Sequence, residues 1–156
     1  FILLTGEAGI GKTVLAEQFL HWTQRQGASV AAAKCYAFGS SNGEENLSYA
    51  PLVTWLRSEA FAHDLFRLAP LWQRELLRIL PELHSHYPHL SLPEVMQDGL
   101  QRRQFFEALA HAICAGARPI LLFIDDLQWC DRETLDWLLY LLLQFPLPVP
   151  ILIIGT

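Results

Sequence analysis

Short apolar runs alternate along the chain with longer stretches in which apolar side chains recur at a helical period. The runs at residues 1–5, 120–124 and 149–154 are almost entirely apolar. Runs of this length are typical of strands that are buried on both faces of a parallel sheet. Residues 29–36 are rich in small side chains and predict one more strand that is closely covered. The alternation of strands and helices predicts an α/β fold with a mostly parallel sheet between helical layers.

The first helix is predicted over residues 12–26, directly after a glycine-rich turn. Leu15, Phe19 and Trp22 recur at four- and three-residue spacing, which places them together on one face. Gly27 marks the end of this helix, because glycine readily takes the left-handed conformation that closes many helices.

Two further helices are predicted to begin after an aspartate that caps the first turn. After Asp98, apolar side chains recur as they do in an amphipathic helix, at Phe106, Leu109, Ala110 and Ile113. After Asp131, a helix extends to about residue 145 and has almost no polar face. Such a helix is either covered by other parts of the same polypeptide, which is the favoured interpretation, or faces a partner such as a second copy.

The stretch over residues 49–97 is helical in pattern but is interrupted by prolines. It predicts three short helices followed by a loop, as a helical insert between the second and third strands. Residues 38–48 are rich in glycine, serine and asparagine, and they predict a loop before the insert.

Composition limits the classes of protein that remain. The chain has 156 residues, of which 52% are hydrophobic and 17% charged, with a net charge of −5. This length fits a single domain, and the negative charge gives no support to a broad nucleic-acid-binding surface. No stretch reaches the roughly 18 apolar residues of a membrane-spanning helix, and no signal peptide is recognisable.

The three cysteines and the two ends of the chain add two expectations. Cys35, Cys114 and Cys130 are odd in number and match no zinc-site spacing, so we expect reduced thiols in a cytoplasmic protein. The chain starts and stops inside predicted strands, whereas domain ends normally lie at the surface. We therefore expect a domain cut from a longer polypeptide.

A phosphate-binding loop is the strongest chemical signal. Residues 6–13 read GEAGIGKT and fit the pattern G-x-x-x-x-G-K-[ST] at every position. Glycines let the backbone N–H groups turn toward a phosphate, and the helix that follows presents its positive end to the anion. The lysine of such a loop reaches the β- and γ-phosphates, and its threonine hydroxyl binds Mg²⁺. The predicted nucleotide-binding residues are Gly6, Glu7, Ala8, Gly9, Ile10, Gly11, Lys12 and Thr13.

A pair of carboxylates supplies the second half of the predicted site. A phosphate-binding loop works with a carboxylate that holds the metal, placed at the end of another buried parallel strand. Asp125 ends the third apolar run and takes this role together with Thr13. Asp126 is predicted to orient or deprotonate the attacking water, with Lys12 as the other catalytic residue.

These residues carry a family resemblance. The loop and the sequence LLFIDDLQWCD at residues 121–131 together resemble the additional-strand P-loop ATPases. More narrowly, the chain is similar to the origin-recognition-like AAA ATPase domains of large bacterial signal-transduction regulators of the STAND kind. Residues 49–53 and 80–83 resemble the helical insert of that group, and residues 105–109 resemble the helix after it. The resemblance departs at Cys130, where a small alanine is usual.

The resemblance implies a three-layer α/β/α P-loop core that binds ATP and Mg²⁺ and hydrolyses ATP slowly. In that family the last strand ends in a polar residue that senses the γ-phosphate, and Thr156 stands at this position. The basic residue after it, a segment that packs on adenine and a winged-helix lid are expected beyond the two ends of this sequence.

The resemblance also implies a role and partners. The nucleotide cycle would control the assembly of a multidomain signalling or transcriptional regulator, with ATP and ADP as ligands. The lid and the output domains of the same polypeptide are the expected partners, together with nucleotide-dependent self-association. Neither nucleic acid nor a membrane is an expected contact of this segment.

Three other functions remain open on the sequence. A P-loop kinase or phosphotransferase would pass phosphate to a small acceptor, although no arginine-rich lid segment is visible. A DNA-stimulated motor or loader would show turnover that rises with DNA. A nucleotide-binding scaffold without hydrolysis would be insensitive to Asp126→Asn.

Several other polar residues have a competing structural interpretation. The histidines near residues 84–89 suggest a metal site but are more readily loop histidines. Arg102 and Arg103 either contact a phosphate or a neighbouring subunit, or lie on a solvated helix face. Gln128 and Trp129 either relay the nucleotide state into the next helix or serve packing and the turn.

Overall fold

The computed structural model describes residues 1–37 and 48–156. Within those residues the chain forms four strands and seven α-helices, and the bounds of each follow. The strands are β1 (Ile2–Leu3), β2 (Ser29–Lys34), β3 (Ile120–Asp125) and β4 (Ile151–Gly155). The helices are α1 (Lys12–Arg25), α2 (Ala50–Arg57), α3 (Glu59–Ala62), α4 (Pro70–Leu76), α5 (Leu83–His86), α6 (Gly99–Ile113) and α7 (Arg132–Leu143). The predicted loop over residues 38–48 lies outside the described residues apart from Ser48.

The four strands form one parallel sheet in the order β1-β4-β3-β2. Strand β4 therefore lies between β1, which leads into the phosphate-binding loop, and β3, which carries the acidic pair. This is the additional-strand arrangement, so the predicted fold class is confirmed. The carboxyl ends of all four strands meet at one edge, where Lys34 lies opposite Asp125 in the register of β2 and β3. Ligands of open α/β sheets bind at this edge.

The two faces of the sheet are covered unequally. Helix α1 packs on one face against β2 and β3, and a small apolar cluster there contains Ala16, Leu20 and Phe123. The other face carries the main core, in which α2 and α7 pack with α6 and the helical segment over residues 49–97. The indole N–H groups of the two buried tryptophans in this core are hydrogen-bonded. Trp55 donates to the carbonyl of Phe123 at 3.3 Å, and Trp137 donates to the carbonyl of Phe106 at 3.2 Å. The molecule thus has the predicted three layers.

The orientation of α1 differs from what its apolar spacing suggests. Leu15 and Trp22 are 63% and 57% exposed, and Phe19 lies at the surface stacked on Trp22. Ala16 and Leu20 face the sheet instead. Periodicity shows which side chains share a face, but both faces of this helix carry apolar residues, so the spacing alone did not choose between them.

Helices α6 and α7 begin as predicted. The Asp98 carboxylate accepts from the Gln101 N–H at 2.8 Å, and the Asp131 carboxylate accepts from the Thr134 N–H at 2.8 Å. The four apolar residues predicted on α6 are all buried.

Helix α7 has one buried side and one exposed side. Its buried side contains Trp137, Leu138, Tyr140 and Leu141. Leu135, Leu139 and Leu143 are exposed in a row at i, i+4 and i+8. Within this chain α7 is therefore not buried all round.

The segment between β2 and β3 is more helical than predicted. Three short helices were expected, and the described residues form α2 to α5 together with a 3-10 turn at Asp64–Arg67. Prolines occupy the first turns of α2 and α4, where the missing N–H has no intrahelical partner to lose. No helix within residues 1–37 and 48–156 is long and apolar enough to cross a membrane.

Candidate functional site

The phosphate-binding loop connects β1 to α1 and lies at the surface. Gly9 and Gly11 have φ values of 81° and 100°. Residues other than glycine rarely adopt this left-handed backbone conformation. Gly11 is also the N-cap of α1, and its carbonyl accepts the Leu15 N–H at 2.9 Å. The glycines of the motif are thus needed for the turn itself, and the turn places the loop at the positive end of a helix.

Lys12 is held by the loop that it belongs to. Its ammonium group donates to the carbonyls of Gly6 and Glu7, each at 3.0 Å. Both bonds are exposed and span six residues or fewer. These two local bonds therefore hold the charge of Lys12 at the start of the loop.

Thr13 joins the loop to the acidic edge of the sheet. Its hydroxyl donates to Oδ1 of Asp125 at 2.9 Å, across 112 residues of sequence. The Thr156 hydroxyl donates to the same oxygen at 2.6 Å. Asp125 is 8% exposed, and these two bonds hold its carboxylate between the start of α1 and the end of β4. The structure thus brings together three residues that the sequence analysis assigned to the site.

Lys34 is a site residue that the sequence analysis missed. Its ammonium group lies 3.4 Å from Oδ2 of Asp125 and 3.3 Å from Oδ2 of Asp126. Hydrogen bonds to Asp126 and then to Asp125 raise the pKa of Lys34 above its usual value. Its place at the carboxyl end of a predicted parallel strand was the available signal, because such ends converge on one edge.

Asp125 keeps its negative charge despite burial. Burial by itself raises the pKa of this carboxyl, but hydrogen bonds from Thr156, Thr13 and Lys34 outweigh it and leave the pKa below its usual value. An ionised carboxylate beside a threonine hydroxyl is a set of hard oxygen donors, the kind that Mg²⁺ prefers.

Asp126 has a different environment from its neighbour. Its backbone is left-handed, with φ 58°, and its carboxylate is partly exposed. Gln128 donates to Oδ1 of Asp126 at 3.0 Å, while Lys34 faces the other oxygen. The Asp126 N–H donates to the Thr156 hydroxyl at 3.2 Å. The Asp126 side chain is thus held from two sides, and Lys34 bridges the two carboxylates.

A cavity of about 860 Å³ opens between the loop and the acidic edge. Of the residues assigned to the site, eight line it, and these are Gly6, Ala8, Gly9, Lys12, Thr13, Asp125, Asp126 and Thr156. Glu7, Ile10 and Gly11 belong to the loop but are not among its lining residues. Its remaining walls include Leu127, Gln128, Cys130 and Leu135.

Two thiols lie beside the acidic pair. A hydrogen bond from the Cys130 thiol lowers the pKa of Cys35. The same hydrogen bond is the main cause that raises the pKa of Cys130, and burial is the second. Cys114 lies apart from them, and burial raises its pKa to about 11. The sequence analysis treated all three as unremarkable reduced thiols, because residues 35 and 130 are far apart in the chain.

The other polar candidates are placed as follows. Arg102 donates to Asp136 at 2.7 Å and covers the Phe106 ring, and Arg103 lies 3.5 Å from Glu107. Neither arginine lines the 860 Å³ cavity. Among the described residues, no group of three or more His, Cys, Asp or Glu side chains is arranged to hold a metal ion. Gln128 contacts Asp126, as the relay hypothesis requires, whereas Trp129 is 49% exposed.

Comparison with known proteins gives one match. A family model described as AAA ATPase domain matches residues 1–154, which is nearly the entire chain. No curated protein and no solved structure matches the chain.

Proposed function

The chain belongs to the AAA ATPase domain family, and from this premise we propose that it is a nucleotide-dependent switch. Membership of the family indicates nucleotide binding and hydrolysis, with ATP as the nucleotide. The proposed cycle is slow hydrolysis of MgATP that controls the assembly of a multidomain signalling or transcriptional regulator. The lid and output domains of such a regulator are partners in this proposal.

The hydrogen bond from Thr13 to Asp125, 2.9 Å long, is the observation that carries the proposal. It joins the end of the phosphate-binding loop to the buried carboxylate at the end of β3, a strand that is not adjacent to β1 in the sheet. Lys12 and the loop N–H groups hold the phosphates in this proposal, and the cavity between loop and sheet edge takes the nucleotide.

Thr13 and Asp125 are the residues that would hold Mg²⁺. Mg²⁺ usually takes one or two protein oxygens and completes its shell with phosphate oxygens and water, so a pair of donors suits it. When bound, the ion neutralises charge on the β- and γ-phosphates. Thr156 bonds to the same carboxylate, which supports the proposal that it senses the γ-phosphate through Asp125.

Asp126 is the proposed residue that orients the attacking water and accepts its proton. Its carboxylate is partly exposed, lines the cavity and is held by Gln128 and Lys34. General bases of this kind contribute about 10²- to 10⁴-fold to a rate. Asp126→Asn should therefore lower ATP turnover by about this factor while ATP affinity stays within about threefold. Measurable turnover that Asp126→Asn leaves unchanged would contradict this role of Asp126, whereas absence of turnover in both the parent chain and the variant would favour the non-hydrolysing scaffold.

A chain of contacts supports the coupling of the site to self-association. Gln128 holds Asp126 and lies in the 3-10 turn Leu127–Trp129, which leads into the Asp131 cap of α7. The Asp131 carboxylate also accepts the Tyr49 N–H at the start of α2, at 3.0 Å. A shift at Asp126 would thus reach α7, whose exposed leucines offer an apolar surface for assembly.

Sedimentation with ATP, with ADP and without nucleotide tests the switch. The expected result is a larger species with ATP than with ADP, and no such difference for Lys12→Ala. Identical sedimentation in all three conditions would contradict the switch and leave nucleotide binding as a separate question. If Lys12→Ala bound ATP as well as the parent chain, the phosphate-loop assignment itself would be wrong.

Two assays separate the other enzyme classes. Release of inorganic phosphate without a phosphorylated acceptor supports the ATPase, whereas a phosphorylated small molecule without free phosphate would indicate a phosphotransferase. Turnover that rises many-fold with DNA would indicate a motor or loader.

A further inference from the structure

A second cavity, of about 560 Å³, lies between α6, α7 and the segments that lead into β3 and β4. Because β3 and β4 are parallel, these segments lie at the amino ends of the strands, away from the acidic edge. The two cavities share no lining residue. A volume of about 300–1,000 Å³ is typical of small-molecule sites. The second cavity is thus large enough for a ligand of its own, and the proposed nucleotide cycle makes no use of it.

Polar side chains from two helices converge on this cavity. Arg103, Glu107 and His111 line it from α6. They follow one another at four-residue spacing, so one face of α6 is turned toward the cavity. Tyr140 and Gln144 line it from the end of α7. A few polar groups that converge from separate elements are what orients a ligand in a small-molecule site.

Two guanidinium groups give the rim of the cavity a positive charge. Arg103 is 65% exposed, and its Nε lies 3.5 Å from Glu107. Arg67 is 77% exposed, and its Nη1 lies 3.5 Å from Asp64. A guanidinium carries five N–H donors, and each of these long ion pairs engages one nitrogen, so both groups retain donors for an anion. The charged lining residues are these two arginines and Glu107, which leaves the lining net positive.

The inner wall of the cavity is aromatic. The Phe145 ring lies edge-on to His111 at 5.2 Å and tilted to Tyr140 at 6.4 Å, and all three line the cavity. Trp72 stacks on His111 at 4.8 Å and fixes the imidazole ring. Tyr140 is 7% exposed, so the wall reaches down to the core. Such rings offer an apolar surface on which another ring packs edge-to-face or offset-stacked.

We propose that this cavity binds a small organic acid in which a short chain joins a carboxylate to an aromatic ring. Arg103 and Arg67 bind the carboxylate, because the planar fork of a guanidinium matches its two oxygens. Phe145 and Tyr140 contact the ring. A bare anion would leave the aromatic wall uncovered, and a neutral aromatic compound would leave the guanidinium donors unused. Binding at this cavity is independent of the proposed nucleotide cycle.

Titration of the full chain with 3-phenylpropionate, followed through its amide NMR signals, tests the site. The expected result is saturable shifts in residues 111–115 and 140–145, with a Kd of about 1 mM or tighter. No saturable shifts, or shifts confined to residues 6–13, would overturn the proposed site.

Two further probes separate the contributions of the charge and of the ring. The neutral analogue 3-phenylpropanamide and the ring-free acid acetate should each bind about tenfold more weakly or worse. Equal binding of the neutral amide would overturn the role of the arginines. Equal binding of acetate would overturn the role of the aromatic wall.

Three variants test the assignment of the contacts. Arg103→Met should lower the affinity for 3-phenylpropionate by about tenfold or more, since it removes a charged donor. Arg57→Met is the matched control, because Arg57 is also exposed and paired with a glutamate but does not line the cavity. Ala115→Leu adds bulk to the lining, keeps both arginines and should also lower the affinity by about tenfold or more.

Each variant has an outcome that would contradict the assignment. Binding by Arg103→Met as tight as that of the parent chain would overturn the carboxylate contact. Binding by Ala115→Leu as tight as that of the parent chain would overturn the placement of the ring in the cavity. An equal loss of affinity in Arg57→Met would show that the probe responds only to the overall charge of the chain.

Discussion

The phosphate-binding loop and the acidic edge form the two halves of one cavity, but they are held by different contacts. The loop is exposed, and among the described residues the Lys12 ammonium group bonds only to carbonyls five and six residues away. The acidic edge is centred on Asp125, which is 8% exposed and receives bonds from Thr13, Thr156 and Lys34. The first half is thus built locally, and the second half is built by long-range packing.

This difference predicts two kinds of response to substitution. A change at Lys12 should alter ligand affinity and leave the free energy of unfolding almost unchanged, because its ammonium group bonds to carbonyls of its own exposed loop. A change at the acidic edge should alter both, because three segments lose their common partner. The predictions below follow this contrast from the largest expected effect to the smallest.

Asp125→Asn should have the largest effect, because it removes a charge that three donors face. Loss of electrostatic stabilisation of this kind typically lowers turnover by about 10²- to 10³-fold. Donors left without their charged acceptor should also cost about 1–3 kcal/mol of stability. Measurement of ATP turnover and urea unfolding checks both effects, with the distant Asp64→Asn as the matched control. Full stability with lost turnover would contradict the structural half of this prediction.

Lys12→Ala should reduce ATP affinity by roughly 10- to 100-fold, since a hydrogen bond to a charged group contributes about 1.5–3 kcal/mol. The urea midpoint should remain close to that of the parent chain, because both bonds of the lysine that the structure describes are to its own exposed loop. Calorimetric titration with ATP checks the affinity. Arg25→Ala, at the far end of the same helix, is the control and should bind as the parent does. Comparable destabilisation by Lys12→Ala and Asp125→Asn would erase the contrast between the two halves.

Thr156→Val should lower stability at neutral pH by about 1 kcal/mol, because it removes one hydrogen bond to a buried carboxylate. The pKa of Asp125 is below its usual value in the folded chain. Such a group stabilises the fold above its unfolded pKa of about 3.9, and this contribution is lost as pH falls through the folded pKa. The difference in the free energy of unfolding between parent and variant should therefore shrink below about pH 4.

Urea unfolding at several pH values checks this difference, with the exposed Thr54→Val as the control. A difference that is constant with pH would show that Thr156 acts by packing instead.

Lys34→Met should have the smallest effect, because Lys34 is half exposed and its ion pairs are screened by solvent. Removal of its charge should let the two carboxylates attract Mg²⁺ more strongly and shift the Mg²⁺ dependence of ATP turnover about two- to threefold lower. The shift should fade at high salt. Arg57→Met, which breaks the exposed pair with Glu82 far from the site, is the control. A shift in the opposite direction would mean that Lys34 helps to hold the ligands.

Much of the loop half was predictable from the sequence because its determinants are contiguous. The glycines, Lys12 and Thr13 occupy fixed positions in an eight-residue motif, and the motif also marks the start of α1. The Asp98 and Asp131 caps were predictable for the same reason, since each acts on an N–H three residues away. The apolar run that ends at Asp125 located β3 and its acidic end.

The acidic half was predictable only in part. The position of Asp125 followed from its strand, but the contact with Lys34 depends on the register between β2 and β3. The exposed face of α1 depends on which side packs on the sheet, and apolar residues on both sides left that choice open.

The sequence by itself therefore determined the four strands, helices α1, α6 and α7, their order and the phosphate-binding motif, because backbone conformation and helix capping are decided within a few residues. Tertiary structure decided which charges surround Asp125 and which side of α1 faces solvent. These are relations between segments up to 112 residues apart. Only the packing of the parallel strands into one sheet brings such segments to a common edge.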